Sequence, residues 1–243
     1  MRIATWNLNH RVGKIRFRSE AADAAIALSA DVLVFTEFFP PQHEDRFRTA
    51  LAAAGWNEQL MSAQPTEVAN RVLVASKLPL APLTFDLPTF DQQFPANLLG
   101  FTLPSLGLSV LCVRVPAYSG GTAHLLLPAW EWLETTTALL KRGPSVVIGD
   151  LNIQTSSRAS RGGDYFRRIL ASGWHRAAPS GATFFGHGGR RSEIDHVLAT
   201  DRGILSDEVC IQEAGGFVLS GSASAISDHA ALVCRVEILT TVS

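Results

Sequence analysis

The stretch PSVVIGDLNIQ, residues 144–154, decides how the rest of the chain is read. Val146, Val147 and Ile148 form an apolar run that passes through Gly149 into Asp150, with Asn152 one residue beyond a leucine. Residues two apart on a strand share a face. A buried strand therefore ends by presenting a carboxylate and a carboxamide side by side. The same habit recurs along the chain.

Outward from this strand, the pattern alternates between groups of strands and amphipathic helices. RIATWNL (2–8) and DVLVFTEFF (31–39) read as strands, and FRSEAADAAIALSA (17–30) between them reads as a helix. EDRFRTALAAAGW (44–56) reads as a second helix, stopped by Gly55. Strands are expected at Asn57–Met61, Arg71–Ser76, Leu80–Leu87, Leu98–Leu103 and Leu108–Val115. HLLLPAWEWLETTTALLKRG (124–143) reads as a long helix with Pro128 near its first turns and Gly143 at its end. DYFRRILASGW (164–174) reads as a short helix, and EIDHVLAT (193–200), EVCIQE (208–213) and AALVCRVEIL (230–239) as closing strands. Groups of strands separated by helices predict an α/β architecture, a mixed sheet layered with helices. The 243 residues suffice for one large domain, and no linker divides residues 1–243. Three long Gly/Ser/Arg segments, 154–164, 179–192 and 213–228, interrupt the pattern; loops of this length tend to carry function.

Composition narrows the function. The chain is 47% hydrophobic and 18% charged, with a formal net charge of −1, so no strong overall field draws it to nucleic acid or membrane. Cys112, Cys210 and Cys234 are widely spaced within apolar runs, and no CxxC occurs. That reads as buried thiols in a reducing compartment. No stretch has membrane-spanning length, and the first residues lack the apolar core of a secretory signal. The expectation is a soluble, cytoplasmic protein.

The polar strand ends carry the chemistry. Asn7 closes IATWN, Glu37 closes DVLVFTE, Asp150 and Asn152 close SVVIGDLN, Asp195 opens a strand in SEIDHVL, and Asp228–His229 stand before the last strand in SDHAALV. Burying a charge is expensive, so acids gathered around one crevice need a cation. No Cys/His cluster suits zinc. The available ligands are oxygens, which select Mg²⁺, Mn²⁺ or Ca²⁺. A divalent cation, carboxylates and one carboxylate-held histidine together are a set for phosphoryl transfer.

TWNLN, LVFTE, GDLN, EIDHVL and SDH, in that order, resemble the endonuclease/exonuclease/phosphatase superfamily, over nearly the whole chain from Asn7 to His229. The resemblance implies a four-layer α/β sandwich, two mixed sheets face to face with helices outside. It implies a Mg²⁺ cofactor, with Mn²⁺ a possible substitute, held by Asn7, Glu37 and Asp228. Glu37 would be the direct ligand. Asp150 would activate the attacking water, Asn152 would orient water and phosphate, Asp195 would fix the tautomer of His229, and His229 would contact the scissile phosphate. One position departs. In LCVRVPAYS the family usually carries His or Tyr where this chain has Arg114. Arg114 can grip phosphate with a bidentate fork but cannot readily supply a proton. Tyr118, four residues on, is a candidate replacement.

Local charge bears on the substrate. HRVGKIRFR (10–18), the segment with Arg158, Arg161, Arg167 and Arg168, and the pair Arg190–Arg191 place basic residues next to the proposed strand ends. They fit a phosphorylated substrate. Phe38, Phe39, Trp174, Phe184 and Phe185 lie near the same loops; core packing is expected for most, with one ring of the Phe184–Phe185 pair exposed. The leading expectation is a Mg²⁺-dependent phosphodiesterase acting on nucleic acid, a nuclease. The alternatives are a phosphatase or phosphodiesterase for a small or lipid ester, and a binding module that kept the fold and lost the chemistry.

Overall fold

In the computed structural model, which describes residues 1–12, 17–39, 43–67 and 69–239, the strand candidates pair into two sheets of six. In chain order the strands are β1 (Arg2–Asn7), β2 (Val32–Phe38), β3 (Glu58–Met61), β4 (Arg71–Ser76), β5 (Ala81–Pro82), β6 (Leu98–Leu103), β7 (Leu108–Val113), β8 (Ser145–Asp150), β9 (Trp174–Arg176), β10 (Phe184–Phe185), β11 (Arg191–Ser192), β12 (Asp195–Thr200), β13 (Gly203–Ile211), β14 (Glu213–Ala214), β15 (Phe217–Val218) and β16 (Ala231–Ile238). The helices are α1 (Ala21–Ala27), α2 (Glu44–Ala53), α3 (Leu126–Leu140) and α4 (Gly163–Ala171).

The first sheet runs β13-β16-β1-β2-β4-β3 and the second β5-β6-β7-β8-β12-β9. Each contains one parallel pair, β1 with β2 and β7 with β8, and is otherwise antiparallel. The parallel pairs are the ones joined through helices, α1 and α3, as a parallel connection requires.

Alternation along each strand sorts the core into layers. Ile3, Val32 and Val34 of the first sheet meet Val110, Val146, Ile148 and Val197 of the second, forming the layer between the sheets. Ala4, Trp6, Leu33 and Phe35 point the other way, onto Ala24, Ala25, Phe47 and Leu51 of α1 and α2. Leu111, Val147 and Leu198 point onto Trp130, Leu133, Phe166 and Ile169 of α3 and α4. The result is the expected sandwich of helices, sheet, sheet and helices. Among the described residues no helix is long and apolar enough to cross a membrane.

Some elements depart from the sequence pattern. The strand expected over Leu80–Leu87 shrinks to Ala81–Pro82, because Pro79, Pro82 and Pro88 remove ladder donors and hold the segment at the edge of its sheet. The last-but-one long strand begins at Gly203 rather than Glu208 and passes through a register shift between Ser206 and Val209. Cys112 and Cys234 are buried as expected, but Cys210 is only partly so, since β13 is an edge strand. The long segments 179–192 and 213–228 fold into the small hairpins β10–β11 and β14–β15.

Candidate active site

The topology brings the polar strand ends to one place. β1 and β2 run parallel, so Asn7 and Glu37 share the carboxyl end of the first sheet. β7 and β8 run parallel, so Arg114 and Asp150 share the carboxyl end of the second. β12 is antiparallel to β8, with Asp195 directly opposite Asp150. β16 is antiparallel to β1, and His229 lies just ahead of it, beside the end of β1. Ligands in open α/β sheets collect at such carboxyl ends.

Three polar contacts then link sheet to sheet across the mouth of the sandwich. Asn7 Nδ2 donates to Asp150 Oδ2 at 2.9 Å. His229 Nδ1 pairs with Asp195 Oδ2 at 2.8 Å. Arg114 donates from Nε to Glu37 Oε1 at 2.8 Å, and its Nη2 lies 2.6 Å from the same oxygen. Asn7, Asp150 and Asp195 continue the alternation that points Ile3, Ile148 and Val197 into the layer between the sheets, so each is buried.

Backbone shape aims these groups. Glu37 sits at φ 51° inside β2, at a register shift between Phe35 and Phe38. A left-handed glutamate in a strand is unusual. It turns the side chain out of the ladder and toward Arg114. Asn152 is also left-handed, at φ 50°, and folds back on Asp150. Its backbone N–H donates to Asp150 Oδ1 at 3.0 Å, and its Nδ2 to Asp150 Oδ2 at 3.1 Å and the Val115 carbonyl at 2.8 Å. Gly149 precedes them at φ 138°, where a Cβ would stand 2.2 Å from the Val113 carbonyl oxygen. Only glycine lets β8 approach β7 this closely.

Several supporting residues were not singled out by sequence reasoning. Ser227 Oγ donates to the Asn7 carbonyl at 2.7 Å and accepts from the His229 N–H at 3.0 Å. Thr183 Oγ1 accepts from the N–H groups of Ile194 and Asp195, both at 3.0 Å. Trp6 Nε1 donates to the His229 carbonyl at 2.9 Å. The hairpin β10–β11 is anchored to the SDH segment by Phe185 N–H to the Asp228 carbonyl and Ala230 N–H to the Thr183 carbonyl. A serine or threonine at such a place carries no spacing signal, because its role is set by a partner far away in sequence. His10 belonged to a basic segment in the sequence; its Nε2 lies 3.1 Å from Glu37 Oε2.

The electrostatics separate the acids. Burial pushes Asp150 up, Asp195 opposite it adds to the rise, and His229 and Arg114 only partly oppose them, leaving its pKa at about 7. Burial disfavours a charged His229, but Asp195, through charge and hydrogen bond, and then Asp150 and Asp228 outweigh it and raise the imidazole to about 10. Burial likewise disfavours a charged Glu37, but Arg114 and His10 hold its carboxyl well below the usual range. A base poised near neutrality thus stands beside a charged imidazolium.

The donor set suits a hard divalent cation. Glu37, Asp150, Asp195 and Asp228 gather with the cations Arg114 and His229 and, on the pocket wall, Arg190, and no sulfur is among them. Single ligand atoms of Asp150, Asp195 and His229 lie within 4.8 Å of one another. Their spacing reflects a hydrogen-bonded dyad beside a base rather than an ion cage, because the charged imidazole has no lone pair to offer. Asn7 engages its Nδ2 with Asp150 and its Oδ1 with the Asn9 N–H. Glu37 and Asp228 are the acids facing the open pocket with Asp150.

That pocket, about 290 Å³, is lined by Glu37, Arg114, Tyr118, Asp150, Asn152 and His229 among others. It adjoins a groove of about 880 Å³ and shares Asn9, Phe184, Arg190 and Asp228 with it. Arg190 faces both spaces, whereas Arg191 lines the groove only, its guanidinium 5.7 Å from the Phe185 ring centroid. Arg161 stacks on Tyr118 at 3.8 Å. Arg167 and Arg168 turn away, onto Asp164 and Glu134, so this part of the basic loop is self-neutralised. Lys14 and Arg16 lie outside the described residues. Phe38 and Trp174 are core residues, while Phe184 and Phe185 are half-buried, with Phe184 packed 5.0 Å from His229.

Comparison with known proteins agrees with this geometry. The sequence matches the profile of the Endonuclease/Exonuclease/phosphatase family across residues 4–229. Among curated protein sequences, none matches. Similar solved structures include a variant of the 3′ phosphatase NExo from Neisseria, bound to product DNA hairpin, at TM-score 0.75 and 20% identity over 98% of this chain and 99% of that one. An AP endonuclease from Archaeoglobus fulgidus gives TM-score 0.74 and 17% identity over 98% and 100%. TDP2 from C. elegans gives 0.64 and 13% over 96% and 74%. At these identities the likeness is one of fold.

Proposed function

The chain belongs to the endonuclease/exonuclease/phosphatase family, and from that premise we propose that it is a Mg²⁺-dependent phosphoesterase that hydrolyses phosphodiester bonds in nucleic acid. The observation that carries the reading is the pairing of Asp150, at about 7, with a His229 imidazolium held by Asp195, at the mouth of one pocket.

The geometry supports the following roles. Asp150, fixed by three N–H donors from Asn7 and Asn152, takes the proton of the attacking water. A base near neutrality is half-ionised where it works and accepts the proton with little penalty. His229 Nδ1 is committed to Asp195, so its Nε2 N–H is left for a phosphate oxygen, where it stabilises the charge of the pentacoordinate state. Asn152 and Arg114 line the same pocket and help seat the phosphate. Glu37, with Asp228, would hold a divalent cation, which supplies Lewis-acid neutralisation of phosphate oxygens when bound.

Nucleic acid is favoured by the groove beside the pocket. Arg11, Arg190, Arg191 and the half-buried Phe185 line it. Cations for the backbone and a ring for a base are what a flanking nucleotide needs. The names of two structural neighbours, a 3′ phosphatase bound to product DNA hairpin and an AP endonuclease, support the same direction. A binding module that had lost its chemistry would show an apolar residue at one of these positions, and each of Asn7, Glu37, Asp150, Asn152, Asp195, Asp228 and His229 is retained.

The test is a substrate panel in Mg²⁺ and in EDTA: supercoiled plasmid, duplexes bearing an abasic site or a 3′ phosphate, single-stranded RNA, inositol phosphates and sphingomyelin. Mg²⁺-dependent cleavage of a nucleic acid is expected. Turnover confined to a small or lipid ester would replace the nucleic-acid reading, and no turnover on any ester would remove the enzyme.

A further inference from the structure

Arg114 stands where the family pattern implies His or Tyr, and its guanidinium does not point freely at a substrate. Two of its nitrogens converge on one oxygen of Glu37, at 2.6 and 2.8 Å, and a third reaches toward Asn97 Oδ1 at 3.5 Å. Both partners are largely sheltered, with side-chain exposures of 20% and 12%. The other Glu37 oxygen faces His10 at 3.1 Å. Glu37 is thus satisfied by protein groups on both oxygens, yet it is the acid that the proposed function assigns to a metal. A carboxylate oxygen with one N–H donor at 2.8 Å and a second guanidinium nitrogen at 2.6 Å is crowded against a hard cation that demands short, well-placed oxygens.

We propose that Arg114 is a built-in competitor of the divalent cation, a guanidinium that occupies Glu37 until metal displaces it and then turns to the substrate phosphate. This rests on Glu37 being a metal ligand, as proposed above. The competition has a physical basis: Arg114 and a divalent cation carry the same sign and seek the same oxygen. Loading the metal breaks a charge-assisted pair, so affinity for metal is lower than the donor set alone would give. The displaced guanidinium stays within the pocket that Asp150, Asn152 and His229 line. A phosphate there offers the fork a new bidentate partner. Metal and phosphate therefore favour one another, because each removes one end of the pairing that opposes the other. A His or Tyr in this place could not exert this competition in its neutral form, since it would carry no charge to trade.

The test is direct binding of Mn²⁺, read by electron paramagnetic resonance, to the wild-type chain and to Arg114→Met, Arg190→Met and Glu37→Gln, with far-UV circular dichroism and thermal melting confirming that each is folded. Arg190 also lines the pocket but is not paired with Glu37, so it reports general repulsion by a nearby positive charge. The expected result is that Arg114→Met tightens Mn²⁺ by about ten- to a hundredfold, the range for losing one charged hydrogen-bonded competitor. Arg190→Met should change it by less than about threefold. Sulfate, a tetrahedral dianion that holds free Mn²⁺ weakly, should tighten Mn²⁺ on the wild type and have no such effect on Arg114→Met. If wild-type binding depends on Glu37 but Arg114→Met leaves it unchanged or weaker, the competition is refuted and the metal site stands. Equal tightening in both arginine variants also refutes it, in favour of general repulsion. If Glu37→Gln binds Mn²⁺ as a binding wild type does, or if no variant binds it, Arg114→Met included, the assignment of Glu37 fails and the competition falls with it. Should Arg114→Met not fold, Arg114→Gln gives the same readout with a polar neighbour for Glu37.

Discussion

At the scale of single residues, the site works by setting buried groups against one another, and His229 shows how. Its folded pKa of about 10 lies above the ordinary 6.5, because Asp195, Asp150 and Asp228 outweigh the cost of burial. The sign follows directly: the folded state holds a proton that the unfolded state releases above 6.5. The stabilisation is fully present below pH 6.5 and is lost as pH rises through 10. Asp150 also holds a proton more tightly when folded, but its window closes near pH 7. His196, buried against Phe166 and lowered to about 4 chiefly by burial, acts in the opposite sense between 4 and 6.5. The clean window is therefore pH 7 to 8, below the range where the unfolded thiols of Cys112, Cys210 and Cys234, all raised in the fold, begin to ionise. In EDTA, unfolding free energy should fall across it by about 1 kcal/mol per pH unit. His229→Asn should flatten that slope; a slope unchanged in the variant would mean that His229 is not charged in the fold. The same residue faces phosphate in the proposed reaction, so His229→Ala should lower turnover by roughly 10²- to 10⁴-fold while the protein stays folded. Near-full activity in that variant would remove His229 from the mechanism.

At the scale of elements, the geometry depends on how closely the strands that carry the acids approach one another. Gly149 is the clearest case, since its Cβ would meet the Val113 carbonyl and its φ is one that side chains avoid. Gly149→Ala should therefore cost at least about 2 kcal/mol in a urea melt and lower turnover by pushing Asp150 away from β7. A melt within about 0.5 kcal/mol of wild type would show that β8 has room to spare. Thr183→Val tests the hairpin in the same spirit. It orphans two N–H groups beside Asp195 and should cost about 1 to 3 kcal/mol, with a loss of activity that Thr183→Ser largely restores. A Val variant as stable and active as wild type would show that water serves those two donors as well. The sequence made some of this legible and not the rest. Arg71–Ser76 and Leu98–Leu103 were readable with their bounds, because alternation and β-branched residues fix a period of two. Leu80–Leu87 was not, because apolar content there outvoted three prolines. Asn7, Glu37, Asp150 and Asp195 were readable as polar ends of apolar strands. Ser227 and Thr183 were not, because a hydroxyl that serves a distant backbone leaves no local mark. The left-handed turn of Glu37 was also hidden, since glutamate gives no hint of positive φ.

At the scale of the whole molecule, the two sheets share an apolar layer and close over it with charged groups. Ile3, Val34, Val110 and Ile148 hold the sheets together without direction, whereas Asn7–Asp150, Glu37–Arg114 and Asp195–His229 fix their relative position at the mouth. Burial first and then the neighbouring acid Asp195 raise Asp150, so the metal-free fold holds that carboxyl in an environment unfavourable to its charge. A cation bound only by the folded chain stabilises it by mass action, about 2.7 kcal/mol at a hundred times its dissociation constant. For a chain of this size that amounts to a rise of roughly 5 to 10 °C in melting temperature. Saturating Mg²⁺ should produce it relative to EDTA, because Glu37 on β2 and Asp228 just ahead of β16, the acids that would hold the ion, are brought together only by folding. Glu37→Gln should abolish most of the shift and raise the Mg²⁺ concentration needed for activity, the shift being read for each protein against its own melt in EDTA because the substitution also breaks the ion pair with Arg114. An equal shift in Glu37→Gln would place the ion away from this mouth.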